Sequence, residues 1–312
     1  RDYGYQAVAQ LTPMAKSLIQ TFYGKRPDVS YLVGTSNGGR HGFVTASRLP
    51  TEYQGILVST PGYRLPLAAV AQVWGAQQFA TVAKMESKTG RPDLSTAVTP
   101  ADLAMLTRAI LARCDALDGL ADGLVSDLSA CQKAFSIERD VATCKADATP
   151  GAACLTAAQK TVLAKVFDGP RDAAGQAVYS GLPWDAGVQG RDWATWKLVN
   201  SVGPRDAIAL AFVFTTPPAS PAVVNGQGNS LIDYALQFNL ASDLAKVRAT
   251  SPTYPESPMA VMTPPDPLMR DFVAQGGKLL VFHGSADPVF SALDTLRWQD
   301  DFRAAQIGRA HV

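Results

Sequence analysis

Tyr31-Leu32-Val33-Gly34-Thr35-Ser36-Asn37-Gly38-Gly39-Arg40 is the stretch whose reading decides the fold. An apolar run of strand composition leads into the pattern G-x-S-x-G, and a helical pattern from residue 39 to residue 49 follows it. A serine hydroxyl is a poor nucleophile until a tight turn lifts its Oγ clear of the sheet, and Gly34 and Gly38 are expected to give that turn its room. The helix aims its N-terminus at the site, so the N–H of Asn37 is offered to an oxyanion forming on a substrate attacked by Ser36. An ordinary glycine-rich strand-to-helix turn carries the same pentapeptide, so the motif alone does not define chemistry. A phosphate-cradling loop does not fit: no Lys-Ser or Lys-Thr follows the glycines.

A second signal lies far downstream, in Gly276-Gly277-Lys278-Leu279-Leu280-Val281-Phe282-His283-Gly284-Ser285-Ala286-Asp287-Pro288. A helix ending on paired glycines leads into a strand, and the strand ends on an acid held in a turn. In an α/β-hydrolase the chain order is serine, then acid, then histidine, and Asp287 occupies the second place. A turn aspartate before proline is the plain alternative.

With these two segments and the acidic loop described below, the chain resembles the tannase and feruloyl esterase family of α/β-hydrolases across nearly its whole length. The Gly-Gly-Arg that trails the serine is the more specific marker, because a generic elbow does not require it. The resemblance implies Ser36 as nucleophile and Asp287 as triad acid. In that family a cysteine usually precedes the serine and is bridged to one beyond the catalytic histidine; here the position is Thr35, so that bridge cannot form.

The general base is harder to find. The histidines are His41, His283 and His311. His41 sits in the first turns of the elbow helix and reads as a packing residue, and His283 ends the strand that leads to Asp287 and is expected to bond locally. His311 has the right chain order, but after a helical pattern over residues 293–305 only Ile307-Gly308-Arg309-Ala310 stand before it, too few for the strand that returns a hydrolase chain to its catalytic edge. The base is therefore expected beyond Val312. At the other end the chain starts without methionine and runs into a helix with Leu11, Met14, Ala15, Leu18, Ile19 and Phe22 at helical spacing. It reads as an internal part of a longer protein.

Cys114, Cys131, Cys144 and Cys154 crowd into one window, which suggests two disulfides and an oxidising compartment, secreted or periplasmic. Zinc is disfavoured because no pair has C-x-x-C spacing and no histidine lies near. Sequence alone permits three connectivities, and the resemblance favours Cys114 with Cys131 and Cys144 with Cys154. Between the first two cysteines, Asp115, Asp118 and Asp122 stand among glycines, a donor set suited to a hard cation such as Ca2+. The resemblance implies as ligands these three carboxylates with the carbonyls of Leu120 and Leu124, in a structural role. A solvated acidic turn is the alternative.

Composition fits a globular chain able to bury a sizeable core: 312 residues, 47% hydrophobic and 18% charged. A net charge of +1 suggests neither nucleic acid nor a charged membrane surface as partner, and the longest apolar run, residues 207–214, is too short to span a bilayer. Oligomeric state leaves no trace in the sequence. The expected architecture is α/β: a hydrolase core, incomplete at both ends, from residues 1–62 and 264–312, with a large, mostly helical lid over residues 63–263. Trp184, Trp193, Trp196, Phe212 and Phe214 are candidates for a substrate wall, most of them doubling as lid core. The expected function is serine-dependent hydrolysis of small aromatic acid esters through an acyl-enzyme. The rival from another class is a calcium-braced binding protein that keeps the shape without turnover, and a peptidase or lactone hydrolase on the same fold stays open.

Overall fold

The computed structural model describes residues 1–145, 153–223 and 230–307. After a π-helical turn at Asp2–Gln6 come helix α1 (Ala7–Tyr23), strand β1 (Tyr31–Thr35), helix α2 (Asn37–Arg48), strand β2 (Gly55–Ser59) and helix α3 (Leu65–Ala80). A short antiparallel ribbon, β3 (Lys84–Met85) with β4 (Pro92–Asp93), and helix α4 (Pro100–Cys114) follow. The chain then runs through short helices to strand β5 (Lys278–Phe282) and a final helix, Ala292–Ile307.

β1, β2 and β5 form one parallel sheet in the order β1-β2-β5. Register sets three residues abreast, Leu32 with Ile56 and Leu279, Gly34 with Val58 and Val281. Because side chains alternate along a strand, these rows share a face. That face is covered by Phe43 and Ala46 of α2 together with Met269, Phe272 and Trp298. Phe43 meets Trp298 edge-on at 4.6 Å between ring centroids and Tyr63 at 5.4 Å.

The alternate rows look the other way. Tyr31, Val33, Leu280 and Phe282 are all more than half exposed, with Val33 at 69%. Parallel sheets are usually covered on both faces, so this open face is unusual. The apolar stripe of α1 behaves the same way: Leu11, Met14, Leu18 and Phe22 are 61–81% exposed, and Thr12 is the buried residue of that helix. Helical spacing was correct there, but most of the stripe stays open, with Ile19 half-buried and Phe22 meeting the Tyr23 ring edge-on.

Between β2 and β5 lies a second and larger hydrophobic cluster, built from α3, α4, the helix Ala157–Asp168 and the segments after it. Trp184 and Trp193 belong to it, with the Trp184 ring stacked on Phe167 at 3.9 Å, so these two are interior rather than wall. Val289 and Phe290, just past Asp287, are part of the same cluster and tie the helical segment to the sheet edge. The four cysteines form Cys114–Cys131 and Cys144–Cys154, as the resemblance implied. Among the described residues no helix is long and apolar enough to cross a membrane.

Candidate active site

Ser36 sits between the end of β1 and the start of α2 with φ 60° and ψ −119°. This lies outside the regions an L-residue prefers and costs on the order of 1–3 kcal/mol, so the surroundings must hold it. Three backbone bonds do so. The Ser36 N–H donates to Ser59 O of β2 at 2.9 Å, and Ser36 O accepts from Arg40 N at 3.0 Å and Gly62 N at 3.4 Å. The side chain is left exposed, and Asn37 opens α2, where the first N–H groups have no intrahelical acceptor.

Close backbone approach explains two of the glycines. A Cβ on Gly34 would stand 2.2 Å from Gly38 O, and one on Gly39 would stand 2.7 Å from Ser59 O. Gly38 was expected to give the turn room, yet a Cβ there meets nothing within 4 Å. The steric demand falls on Gly39, because that position faces the end of β2.

Arg40 is fully buried, and no carboxylate pairs with it among the described residues. Its Nε donates to Asn37 Oδ1 at 2.8 Å, Nη1 to Gly4 O at 2.8 Å and Met262 O at 3.3 Å, and Nη2 to Tyr3 O at 2.7 Å. Burial lowers its pKa to about 10, opposed by Tyr3, so it stays charged at neutral pH. The arginine that marks the motif thus pins the elbow helix to the N-terminal turn and to the segment before β5.

His41 serves that arginine. Its Nε2 lies 3.0 Å from Arg40 Nη2 and must accept, because a guanidinium only donates; the ring proton is then on Nδ1, which is buried and has no partner among the described residues. Burial first and the Arg40 charge second lower its pKa to about 4. His283 is also committed. Nε2 donates to Phe290 O at 3.0 Å and Nδ1 accepts from Thr295 Oγ1 at 2.8 Å. Both behave as the structural residues the sequence suggested, and His311 lies outside the described residues.

Asp287 follows β5 at the same carboxyl edge of the sheet as Ser36, with β2 between their strands, two strand spacings or about 10 Å. Its Oδ1 accepts from Val289 N at 2.8 Å and Phe290 N at 2.9 Å, and Oδ2 lies 3.5 Å from His283 Nε2. A short chain of contacts links the two residues. Gly62 donates to Ser36 O, a Cβ on Gly62 would stand 2.9 Å from the Phe290 ring, and the Phe290 N–H is bonded to Asp287. A cavity of about 420 Å3 is lined by Leu65, Tyr3, Arg205, Phe212, Val213 and Phe214, and neither Ser36 nor Asp287 is among its lining residues. Of the five aromatic wall candidates, Phe212 and Phe214 are in it.

The acidic loop is folded by its own amides. Asp115 Oδ1 accepts from the N–H of Asp122 and Gly123, Asp118 from Leu120 and Ser126, and Asp122 from Leu124. These bonds hold the Asp118 carboxyl below its usual range, the Leu120 amide contributing most. Asp118 and Asp122 are exposed and Asp115 is half-buried, and among the described residues no three acidic, histidine or cysteine side chains gather closely enough to hold a metal ion. Each of the three carboxylates thus already has backbone donors.

A parallel sheet with a strained serine turn at its carboxyl edge, and an acid two strands away, defines an α/β protein with nucleophile-elbow geometry. Residues 1–311 match the model of the tannase and feruloyl esterase family, and the chain belongs to that family. It is 33% identical to mono(2-hydroxyethyl) terephthalate hydrolase of Piscinibacter sakaiensis over 99% of this chain and 54% of that protein. It is 26% identical to a probable feruloyl esterase B-1 of Neosartorya fischeri, over 93% of this chain and 48% of that one. The solved feruloyl esterase B from Aspergillus oryzae superposes with a TM-score of 0.74 at 22% identity, over 98% of this chain and 53% of that one. The chain thus spans about half the length of the curated relatives it matches.

Two outcomes follow from this geometry. Gly39→Ala should lower stability by about 1–3 kcal/mol through overpacking against β2, while Gly38→Ala should be neutral or slightly stabilising, as alanine is in a helix; denaturant unfolding compares them, and equal costs would contradict the assignment. His41 has a folded pKa of about 4 against 6.5 for free imidazole. Between those values the unfolded chain binds more protons, so stability is complete above pH 6.5 and falls as pH drops towards 4. Replacing His41 with glutamine should flatten the Tm-versus-pH slope in that window, and an unchanged slope would count against it.

Proposed function

We propose that the protein containing this chain is a carboxylic ester hydrolase that works through an acyl-enzyme on Ser36 and acts on small aromatic acid esters. The observation that carries this is the exposed, strained Ser36 linked through Gly62 and Phe290 to Asp287 at one sheet edge. Ser36 Oγ attacks the ester carbonyl, and the Asn37 N–H at the start of α2 stabilises the oxyanion. A histidine outside the described residues takes the serine proton and returns it to the leaving alcohol, oriented by Asp287 Oδ2. Relatives named for terephthalate and feruloyl esters support an aromatic acyl group.

The open face of the sheet and the bare stripe of α1 support a core completed by further polypeptide, since exposed apolar patches of this kind mark surfaces that something covers. The helical segment between β2 and β5 is then the lid that roofs the pocket. Two disulfides favour a secreted or periplasmic setting.

In the intact protein, Ser36→Ala should lower kcat on methyl ferulate by at least about 1,000-fold with Tm unchanged, and Asp287→Asn by roughly 10,000-fold. Substantial turnover by Ser36→Ala would end the proposal, and binding without turnover in the unaltered protein would favour the non-catalytic alternative.

Calcium at the 115–124 loop is a separate proposal. It is supported by the composition of one short loop inside the Cys114–Cys131 bridge, where Asp115, Asp118 and Asp122, with the Leu120 and Leu124 carbonyls as further oxygen donors, make a set suited to a hard cation. Chelation should then lower Tm, and Asp118→Asn should remove that sensitivity. An identical melting curve with and without chelator would refute it.

A further inference from the structure

The loop after Asp287 is gripped by two side chains that belong to the helical segment. Gln72, in the middle of α3 and 2% exposed, donates from Nε2 to Pro288 O at 3.0 Å and to Val289 O at 2.9 Å. Lys197, 4% exposed in the π-helical stretch Trp196–Arg205, donates from Nζ to Pro288 O and to Gln72 Oε1, each at 3.1 Å. Both carbonyls of this loop are therefore satisfied from elsewhere in the chain.

A buried ammonium without a bonded carboxylate is costly, and a methionine would fill the same volume without that penalty. Burial lowers the Lys197 pKa to about 8, opposed first by Asp206 and then by Asp287. Asp206 is itself committed to Arg205 at 2.8 Å, and the Arg205 guanidinium lies 4.8 Å from the Phe290 ring centroid. The charged groups around Lys197 thus converge on residues 287–290. On the other side of that loop, His283 takes Phe290 O, and Gly62 meets the Phe290 ring.

We propose that Lys197 and Gln72 are positioning residues: by fixing the peptide that follows Asp287 they aim its carboxylate, so turnover depends on how the helical segment docks on the acid loop. The proposal rests on Asp287 being the triad acid, as set out above. Neither side chain touches substrate. Their loss therefore acts on kcat through Asp287 and leaves KM nearly unchanged.

The test is a pair of double-mutant cycles in the intact protein, with methyl ferulate as substrate, well below the Tm of every variant. Lys197→Met and Gln72→Met should each lower kcat roughly 10- to 100-fold, the range for a misplacement of about 1 Å, with KM within about twofold. In an Asp287→Asn background each should lower kcat less than about twofold further, because the group they aim has been removed. Wild-type kcat in both variants, or a full multiplicative loss on top of Asp287→Asn, overturns the proposal. If Lys197→Met does not fold, the Gln72→Met cycle decides alone. High activity of Asp287→Asn itself would instead defeat the triad assignment, so the two failures are distinguishable.

Discussion

One hydrogen bond, from the Ser36 amide to the carbonyl of Ser59, fixes the serine turn against the neighbouring strand, and the rest of the site depends on it. A non-glycine residue at φ 60° returns to a relaxed conformation unless several contacts oppose it. Here the β2 carbonyl, the Arg40 amide and the Gly62 amide all engage the Ser36 peptide. Gly39 lets α2 come close enough for this, since any side chain there would strike the same Ser59 oxygen. Thr60, next along, is also at positive φ, so the strain extends over the carboxyl ends of two adjacent strands.

Two cations, Arg40 and Lys197, bond to no carboxylate among the described residues and hold the pieces of the site together. Arg40 collects carbonyls from the N-terminal turn and from Met262, and Lys197 with Gln72 collects those of the acid loop. A carbonyl is a weaker partner than a carboxylate, but it is part of the backbone, so gripping it sets the course of the chain itself. Arg40 also places a buried positive charge one turn from Ser36, beside the positive end of α2. That field favours negative charge developing at the serine.

What was legible in the sequence was local. The apolar run before the elbow and the run at residues 55–59 gave strands because their composition and flanking turns left no competing period. The Asp-Pro turn after β5 was readable for the same reason. Both disulfide pairings came from family resemblance, since spacing alone allowed three. Non-local facts left no sequence signal. Arg40 and Met262 are 222 residues apart, and Gln72 and Val289 are 217 apart, so nothing near any of them announces the bond. Lys197 in particular reads as an ordinary surface lysine. The α1 stripe was read correctly as helical, but periodicity shows which side is apolar and not what covers it.

The most direct test of the account is a crystal structure of the intact protein after reaction with a fluorophosphonate. Phosphorus is expected on Ser36 Oγ, with an oxygen of the adduct within hydrogen-bond reach of the Asn37 N–H and a histidine ring between Ser36 and Asp287. Adduct on any other residue, or an Asp287 carboxylate turned away from Ser36 with no histidine between them, would contradict it.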